Sequence, residues 1–216
     1  FNTEISNYQD RQFDGVNFLV QNAGKLTQQG VEVDIQAQPL DQLFMMFGLS
    51  YLHSDFDNFT DATNLPAIVA GAQAVGAIPP SRDLTGLRNH FSPKWQASLV
   101  AEWADDLANT NMGWFIRGEF QHTSAQNLGA ETNQNPQSMQ SGYEIFNIRA
   151  GVRATDDKWE FSAFAKNLGD EEYCQTIFNQ PIGTTLGLVD STTGGGMQRC
   201  VLGTPRTWGV EAAYRF

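Results

Sequence analysis

The chain alternates apolar residues with polar or small ones over most of its length. A period of two is typical of a β-strand with two different sides, because successive side chains of a strand point in opposite directions. Helical spacing is hard to find outside Leu65–Ile78. The pattern predicts eight strands, at about 1–13, 23–38, 42–55, 94–104, 112–123, 142–154, 158–173 and 205–216.

Seven of these strands have one clearly apolar side, and the first strand has a weaker one. No position on the apolar side of the seven clear strands carries a charge. The interleaved side carries charges of both signs, at Glu32, Asp34, Glu102, Arg117, Glu119, Arg149, Glu160, Glu211 and Arg215. This second side suits a barrel interior, where the charges either line a wetted path or pair with one another across strands.

A secreted, soluble β-sandwich would also alternate, with its apolar side buried between two sheets. The tryptophans favour a membrane barrel instead, because all five lie on the apolar side at or near strand ends, as in the aromatic girdles at the two borders of a bilayer. These are Trp95, Trp103, Trp114, Trp159 and Trp208. Short and long connections also alternate along the chain, as they do in outer-membrane barrels. We therefore predict an all-β fold, an antiparallel transmembrane β-barrel.

Composition removes several other classes of protein. The 216 residues are 41% hydrophobic and 17% charged, which does not fit a disordered chain or a coiled coil. The net charge of −11 argues against nucleic acid as a partner. The chain contains no run of about 18 apolar residues, so no transmembrane helix is predicted. None of the sequence motifs of common hydrolases, metalloproteases or nucleotide-binding enzymes occurs, so we expect no enzyme and no cofactor.

Eight strands raise the question of closure. Eight is the smallest common number of strands in a membrane barrel, so these eight strands are enough to close on themselves. An open sheet leaves unpaired amides at its edges, which is not tolerated in lipid. Either these strands close, or further strands from sequence outside this chain complete the barrel.

Three segments resemble one family. Asn22–Lys25 followed by Gly30–Val33 is similar to a strand of the TonB-dependent outer-membrane receptors. Asn167–Tyr173 resembles the segment of that family that precedes the last extracellular loop. Pro205–Val210 and the aromatic end at Tyr214–Phe216 resemble its final strand. The order and spacing of the segments fit the family, and the resemblance spans essentially the whole chain.

The resemblance implies a 22-stranded barrel of which residues 1–216 are the C-terminal third. The plug domain and the energy-coupling box of the family are not found in this sequence. The function implied is import of a scarce nutrient, such as a ferric siderophore, across the outer membrane of a Gram-negative bacterium. The implied partners are outer-membrane lipid, the rest of the barrel and the plug, the TonB energy transducer, and the barrel-assembly machinery, which reads the C-terminal signal at Tyr214 and Phe216. The alternative is a self-closed eight-stranded barrel with a structural or adhesive role.

Two cysteines, Cys174 and Cys200, flank the long connection between the last two strands. An extracytoplasmic compartment favours a disulfide between them, with two free thiols as the alternative. Such a bond would tie the base of the connection and contribute about 3–4 kcal/mol in the chain-entropy model.

Two polar groups invite a metal interpretation. His53, His90 and His122 lie near the rim with the long connections, but they are not at ligand spacing, so we expect solvated or interface histidines. The acidic run with Asp55, Asp57 and Asp61 starts like a calcium loop; it lacks the glycine and the glutamate that an EF-hand loop requires, and we expect a flexible acidic loop.

Two further segments of the long connections stand out. Leu65–Ile78 is predicted to be a small loop helix that packs on its neighbours, with an apolar wall against a ligand as the alternative. Gly194–Gly196 is predicted to be a flexible loop tip.

Overall fold

A computed structural model describes residues 1–13, 18–22, 24–130, 132–180 and 197–216. The described residues form fourteen strands, a short helix and one turn of 3-10 helix, Pro136–Ser138. The strands and helix are β1 (Asn2–Ser6), β2 (Gln9–Phe13), β3 (Phe18–Asn22), β4 (Lys25–Leu40), β5 (Leu43–Asn58), α1 (Pro66–Ala74), β6 (Trp95–Asp106), β7 (Met112–Thr123), β8 (Gln126–Asn127), β9 (Met139–Gln140), β10 (Tyr143–Ala154), β11 (Trp159–Lys166), β12 (Cys174–Asn179), β13 (Gln198–Leu202) and β14 (Thr207–Tyr214).

Eight strands form one antiparallel sheet, in the order β1-β4-β5-β6-β7-β10-β11-β14, and we call this sheet the wall. The eight predicted strands are thus all present in one sheet, with neighbours in the sheet also neighbours along the chain. The remaining strands form three two-stranded hairpins or ladders outside it. A sandwich would instead divide the eight strands between two sheets packed face to face.

The register brings the apolar sides of neighbouring strands onto one face of the sheet. Leu99 on β6 lies opposite Phe47 on β5 and Phe120 on β7, and Phe120 lies opposite Phe146 on β10. Residues directly opposite each other point to the same side, so the apolar sets form a continuous surface. Many of these side chains remain exposed in the chain, for example Val31 at 62% and Phe161 at 51%. The apolar face therefore has no covering layer within the described residues.

The two rims of the sheet differ in their connections. Tight turns join β4 to β5, β6 to β7 and β10 to β11 at one rim, which we call the short rim. Asn109 and Asp157 adopt the left-handed conformation in two of these turns, with φ of 61° and 55°, which Asn and Asp tolerate better than most residues. The opposite rim carries the long connections and all the small strands and helices, and we call it the long rim.

The first predicted strand differs from the observed one. The strand 1–13 is two elements: β1 ends at Ser6, and β2 then pairs with β3 in a separate hairpin. Asn7 lies between them with φ of 54°, a conformation that interrupts a strand. The hairpin of β2 and β3 belongs to the long rim rather than to the wall.

The strand predicted over 158–173 is also shorter, because β11 ends at Lys166. Asn167 follows with φ of 50° and a buried side chain. Its amide nitrogen donates to the carbonyl oxygens of Glu171 and Thr204 at 2.9 and 3.0 Å, and its amide oxygen accepts from the Glu171 N–H. A single asparagine therefore ends the strand and fastens the following turn to the start of β14.

The long connection after β5 shares a small apolar core with the ends of β4 and β5. Leu26, Phe56, Phe59, Ala62 and Leu84 are all buried together. The helix predicted within Leu65–Ile78 is present as α1, which begins at Pro66, where the missing N–H of proline costs no helical hydrogen bond. None of the helices in the described residues has the length and apolar character needed to cross a membrane.

Candidate functional site

The polar face of the sheet carries two arginine-centred clusters. Arg117 on β7 donates from Nε to Glu119 Oε1 at 2.9 Å and lies 3.8 Å from Glu102 Oε2 on β6. Asn147 on β10 extends the cluster by donating to the second oxygen of Glu119 at 3.2 Å. The cluster crosses three strands, so these charges pair with one another rather than remaining isolated.

The second cluster lies towards the other edge of the sheet. Arg149 on β10 donates to Glu160 on β11 at 3.0 Å and to Glu211 on β14 at 2.9 Å. Each arginine thus faces two carboxylates, and each cluster carries a net negative charge. The cross-strand pairing predicted as one interpretation of these charges is present in both clusters.

Between β4 and β7 the polar face forms an open groove of about 460 Å³. Gly48 lies in its floor, and a Cβ atom there would come within 2.8 Å of Ser98 Oγ and 3.3 Å of Asp34 Oδ1. A side chain at position 48 would therefore force the Ser98 hydroxyl to shift. The polar side chains that line the groove on this face are Glu32, Asp34, Ser50, Gln96, Ser98, Gln121 and Thr123.

On the apolar face the five tryptophans form two rows. Trp103, Trp114 and Trp159 lie near the short rim, and Trp95 and Trp208 lie at the strand ends next to the long rim. A rise of about 3.3 Å per residue separates Trp95 from Trp103 by roughly 26 Å along β6. At a tilt of about 40° this corresponds to roughly 20 Å of height, somewhat less than the apolar band of about 25 Å in outer-membrane barrels. The assignment of these residues to membrane girdles stays a prediction.

The predicted C-terminal signal residues lie at the short rim. Tyr214 ends β14 opposite Trp159, and its ring lies 5.2 Å from the ring of Phe216 in an edge-on contact. Both rings are exposed. Their role as an assembly signal stays a prediction.

At the long rim, the connection between β7 and β10 contacts the other connections in turn. Phe91 donates its N–H to Asn127 O at 2.9 Å, and Arg82 donates from Nη1 to Asn133 O at 2.8 Å. On the other side, Ala130 N–H donates to Ile177 O at 2.8 Å. We call this connection, residues 124–142, the hub segment.

The hub segment is rich in polar side chains that are nevertheless buried. Its buried members include Asn127, Thr132, Asn133, Asn135 and Ser138. Buried polar groups are usually hydrogen-bonded, and each of these side chains has at least one partner in the neighbouring backbone or in another connection, although Asn135 Nδ2 has none among the described residues. Sequence reasoning missed this segment, because a run of Asn, Gln and Ser ordinarily indicates a solvated loop. The Asn-Pro pair at Asn135, where the side chain caps the 3-10 turn, was the available local signal.

The predicted disulfide is present. Cys174 and Cys200 are bonded, with their Cα atoms 5.4 Å apart, and they lie on the hairpin of β12 and β13. The Cys174 N–H also donates to Gln140 Oε1 of the hub segment at 2.9 Å. The bond thus closes the base of the last long connection against the hub segment. The predicted loop tip at 194–196 lies outside the described residues.

The three histidines have separate partners. His53 lies 3.2 Å from Asp55, and His122 lies 3.4 Å from Glu144. His90 is largely buried, and desolvation lowers its pKa because burial penalises the charged imidazolium. Groups of three or more histidine, cysteine or acidic side chains placed to hold a metal ion do not occur among the described residues.

The acids of the suggested calcium loop are also engaged separately. Asp57 accepts from Thr27 Oγ1 at 2.6 Å and lies 3.6 Å from Lys25 Nζ. Asp55 pairs with His53, and the Thr60 hydroxyl donates to Asp61 at 3.4 Å. Their carboxylates therefore point to different neighbours.

The long single sheet, its two-sided pattern and its unequal rims agree with a known family model. The model described as TonB dependent receptor-like, beta-barrel, matches residues 1–168. The chain belongs to the TonB-dependent receptor family. In this member of the family, β1 and β14 are the two edges of the eight-stranded sheet. A self-closed barrel would require these two strands to pair, and no such pairing occurs between the described residues.

Known relatives are distant and longer. The ferric-pyoverdine M114 receptor PbuA of Pseudomonas sp. (strain M114) is 22% identical over 171 residues, which cover 77% of this chain and 17% of that receptor. The crystal structure of the ferric yersiniabactin uptake receptor FyuA from Yersinia pestis matches with a TM-score of 0.64 at 16% identity, over 98% of this chain and 26% of that one. The closed form of the ferric-catecholate import receptor Fiu from Escherichia coli K12 matches with a TM-score of 0.57 at 15% identity, over 98% and 23%. The chain thus spans about a quarter or less of the length of each of these proteins.

Proposed function

We propose that residues 1–216 are the C-terminal part of the β-barrel of an outer-membrane transporter in a Gram-negative bacterium, and that the transporter imports a scarce nutrient such as a ferric siderophore. The family match carries this proposal. The relatives named above, which are described as ferric-pyoverdine, ferric yersiniabactin and ferric-catecholate receptors, support an iron-chelate cargo.

In this proposal the apolar face lies against lipid. The two rows of tryptophan mark the borders of the bilayer, since indole rings favour the interface between headgroups and acyl chains. The short rim then faces the periplasm, and the long rim faces the outside of the cell.

The polar face lines the barrel interior. The arginine clusters around Arg117 and Arg149 keep charge hydrogen-bonded there, which lowers the cost of placing it inside a barrel. The groove around Gly48 leaves an open polar surface for contact with the plug domain or with a wetted path.

The connections of the long rim capture the cargo, and displacement of the plug, powered through TonB from the inner membrane, opens the way inwards. This chain supplies wall and rim connections to that cycle. Tyr214 and Phe216 form the C-terminal signal for the barrel-assembly machinery.

Uptake by whole cells tests the proposal. Deletion of the gene should abolish uptake of at least one chelate from a panel of radioiron-labelled ferric pyoverdine, ferric yersiniabactin and a ferric catecholate by iron-starved cells. Complementation should restore uptake, and dissipating the inner-membrane proton gradient should abolish it again. Unchanged uptake of every chelate, with the protein present in the outer membrane, would reject the iron-chelate cargo.

A further inference from the structure

Three connections of the long rim meet at one chain of hydrogen-bonded side chains, two of them buried and one partly buried. Thr132 of the hub segment donates its hydroxyl proton to Asp10 Oδ1 at 2.6 Å, and Asp10 lies on β2. The same hydroxyl oxygen lies 3.0 Å from Nδ1 of His90, in the connection that follows β5. The sequence separations across these two contacts are 122 and 42 residues. The contacts therefore join parts of the chain that no local structure holds together.

The proton count fixes the direction of the chain. A threonine hydroxyl has one proton and two lone pairs, and the carboxylate of Asp10 takes that proton. Towards His90 the hydroxyl has only a lone pair to offer, so Nδ1 must carry a proton and donate it. The order of donation is His90 Nδ1–H to Thr132 Oγ1, and Thr132 Oγ1–H to Asp10 Oδ1.

Burial makes this chain energetically significant. Thr132 is 2% exposed and Asp10 is 5% exposed. A buried carboxylate or hydroxyl that loses its partner without gaining water pays its desolvation cost, so withdrawal of one connection penalises the others. A hydrogen-bonded chain with members on three segments therefore couples the positions of those segments.

Other contacts of the hub segment act in the same direction. Arg82 donates from Nη1 to the carbonyl oxygen of Asn133, the residue after Thr132. Gln134 donates from Nε2 to the carbonyl oxygen of Arg88, two residues before His90. These bonds keep the connection after β5 aligned with the hub segment over several residues. Asp10 and Thr132 then bring in the hairpin of β2 and β3.

We propose that Asp10, Thr132 and His90 form a latch that couples three rim connections, so that loosening one of them loosens the others. These are the β2–β3 hairpin, the connection between β5 and β6, and the hub segment. The proposal does not depend on the nature of the cargo, because all three residues belong to this chain and contact one another directly.

Hydrogen exchange of the full-length protein in detergent tests the latch. Thr132→Val keeps the shape of the side chain and removes the hydroxyl. We expect faster amide exchange, by several-fold, in all three connections, while exchange in β6, β7 and β10 stays unchanged. Thr132→Ser restores the hydroxyl and should restore slow exchange. Thr110→Val, in a short-rim turn, is the matched control and should leave all three connections unaffected.

Acceleration confined to the hub segment in Thr132→Val would overturn the proposal, because independent connections respond one at a time. His90 supplies a second test that does not alter the hub segment. His90→Leu removes the donor and should accelerate exchange in the β2–β3 hairpin, whereas His90→Asn places an amide N–H where Nδ1–H was and should stay close to the wild type. Should Thr132→Val fail to assemble, equal exchange of the β2–β3 hairpin in His90→Leu and the wild type would still reject the latch.

Discussion

The wall and the long rim of this molecule are held together in different ways. In the wall, each strand pairs with its neighbour along the chain, and the two faces are separated by simple alternation. At the long rim, stability comes from side chains that reach across distant connections, such as Thr132 to Asp10 and Arg82 to Asn133. Regular backbone pairing thus shapes one region, and specific polar side chains shape the other.

Because of this difference, substitutions in the wall and at the rim should have their effects in different places. A wall residue acts through its side of the sheet, so two adjacent positions on one strand should respond in opposite ways. A rim residue acts through a partner far away in sequence, so its loss should appear in another connection.

The largest effect should come from the disulfide at the rim. Replacing both Cys174 and Cys200 by serine removes the cross-link at the base of the β12–β13 hairpin and should destabilise the hairpin by about 3–4 kcal/mol in the chain-entropy model. Limited proteolysis should show cleavage within 174–202. The folded barrel band of unheated samples should keep its mobility on gels. Loss of the folded barrel band in the double variant would show that wall and rim are not separable in this way.

In the wall, Leu99→Arg should cost about 2–4 kcal/mol, because Leu99 lies on the apolar face near the middle of β6. The matched control is Val100→Arg, on the polar face opposite Glu119, where an added guanidinium gains a carboxylate neighbour. Urea unfolding of the full-length protein in lipid vesicles measures both variants. Equal costs at the two positions would contradict the assignment of the faces.

Asn167 lies at the junction of the two regions and should show an intermediate effect. Asn167→Ala leaves two carbonyl oxygens and one N–H without their partner and should cost about 1–3 kcal/mol. Asn167→Asp keeps the acceptor but turns a carboxylate oxygen towards the carbonyl oxygens of Glu171 and Thr204 in a buried position, so its cost should be larger. Equal costs for the two variants, in thermal unfolding of the reconstituted protein, would argue against the clamp on β14.

The smallest effect should be the response of the rim to pH. Burial lowers the pKa of His90, so the folded rim favours the neutral ring. Its contribution to stability is present above the unfolded value of about 6.5 and is lost as pH falls through the lowered folded value.

Hydrogen exchange, corrected for its intrinsic pH dependence, should therefore show looser rim connections at pH 5.5 than at pH 7.5. Exchange in the wall strands should keep the same corrected rate. The His90→Asn variant, which does not titrate in this range, should lose the difference. A rim that tightens on acidification would contradict the neutral, donating form of His90.

The sequence predicts the wall well because alternation is a local property. The position of Leu99 relative to Val100 decides which side each residue takes, without knowledge of the rest of the fold. The sequence also places Cys174 and Cys200 at the two ends of one connection, which is sufficient to predict their bond once the compartment is inferred.

The rim cannot be predicted in this way, because its contacts depend on where distant connections meet. Thr132 gives no local sign that its partners are Asp10 and His90. Asn7 and Asn167 likewise end strands by adopting positive φ, which alternation does not reveal. The resemblance of Asn167–Tyr173 to a family segment identifies the position, whereas its role as a clamp depends on the contact with Thr204.

In the proposed arrangement, the apolar face lies against the bilayer and the polar face lines the barrel interior. Spin labels at single cysteines replacing Leu99 and Val100, in the full-length protein with its disulfide intact, test it directly in lipid vesicles. We expect oxygen to relax the label at 99 strongly and a water-soluble nickel chelate to relax it weakly. The label at 100 should show a much lower ratio of oxygen to nickel relaxation. The reverse order at the two positions would contradict the account.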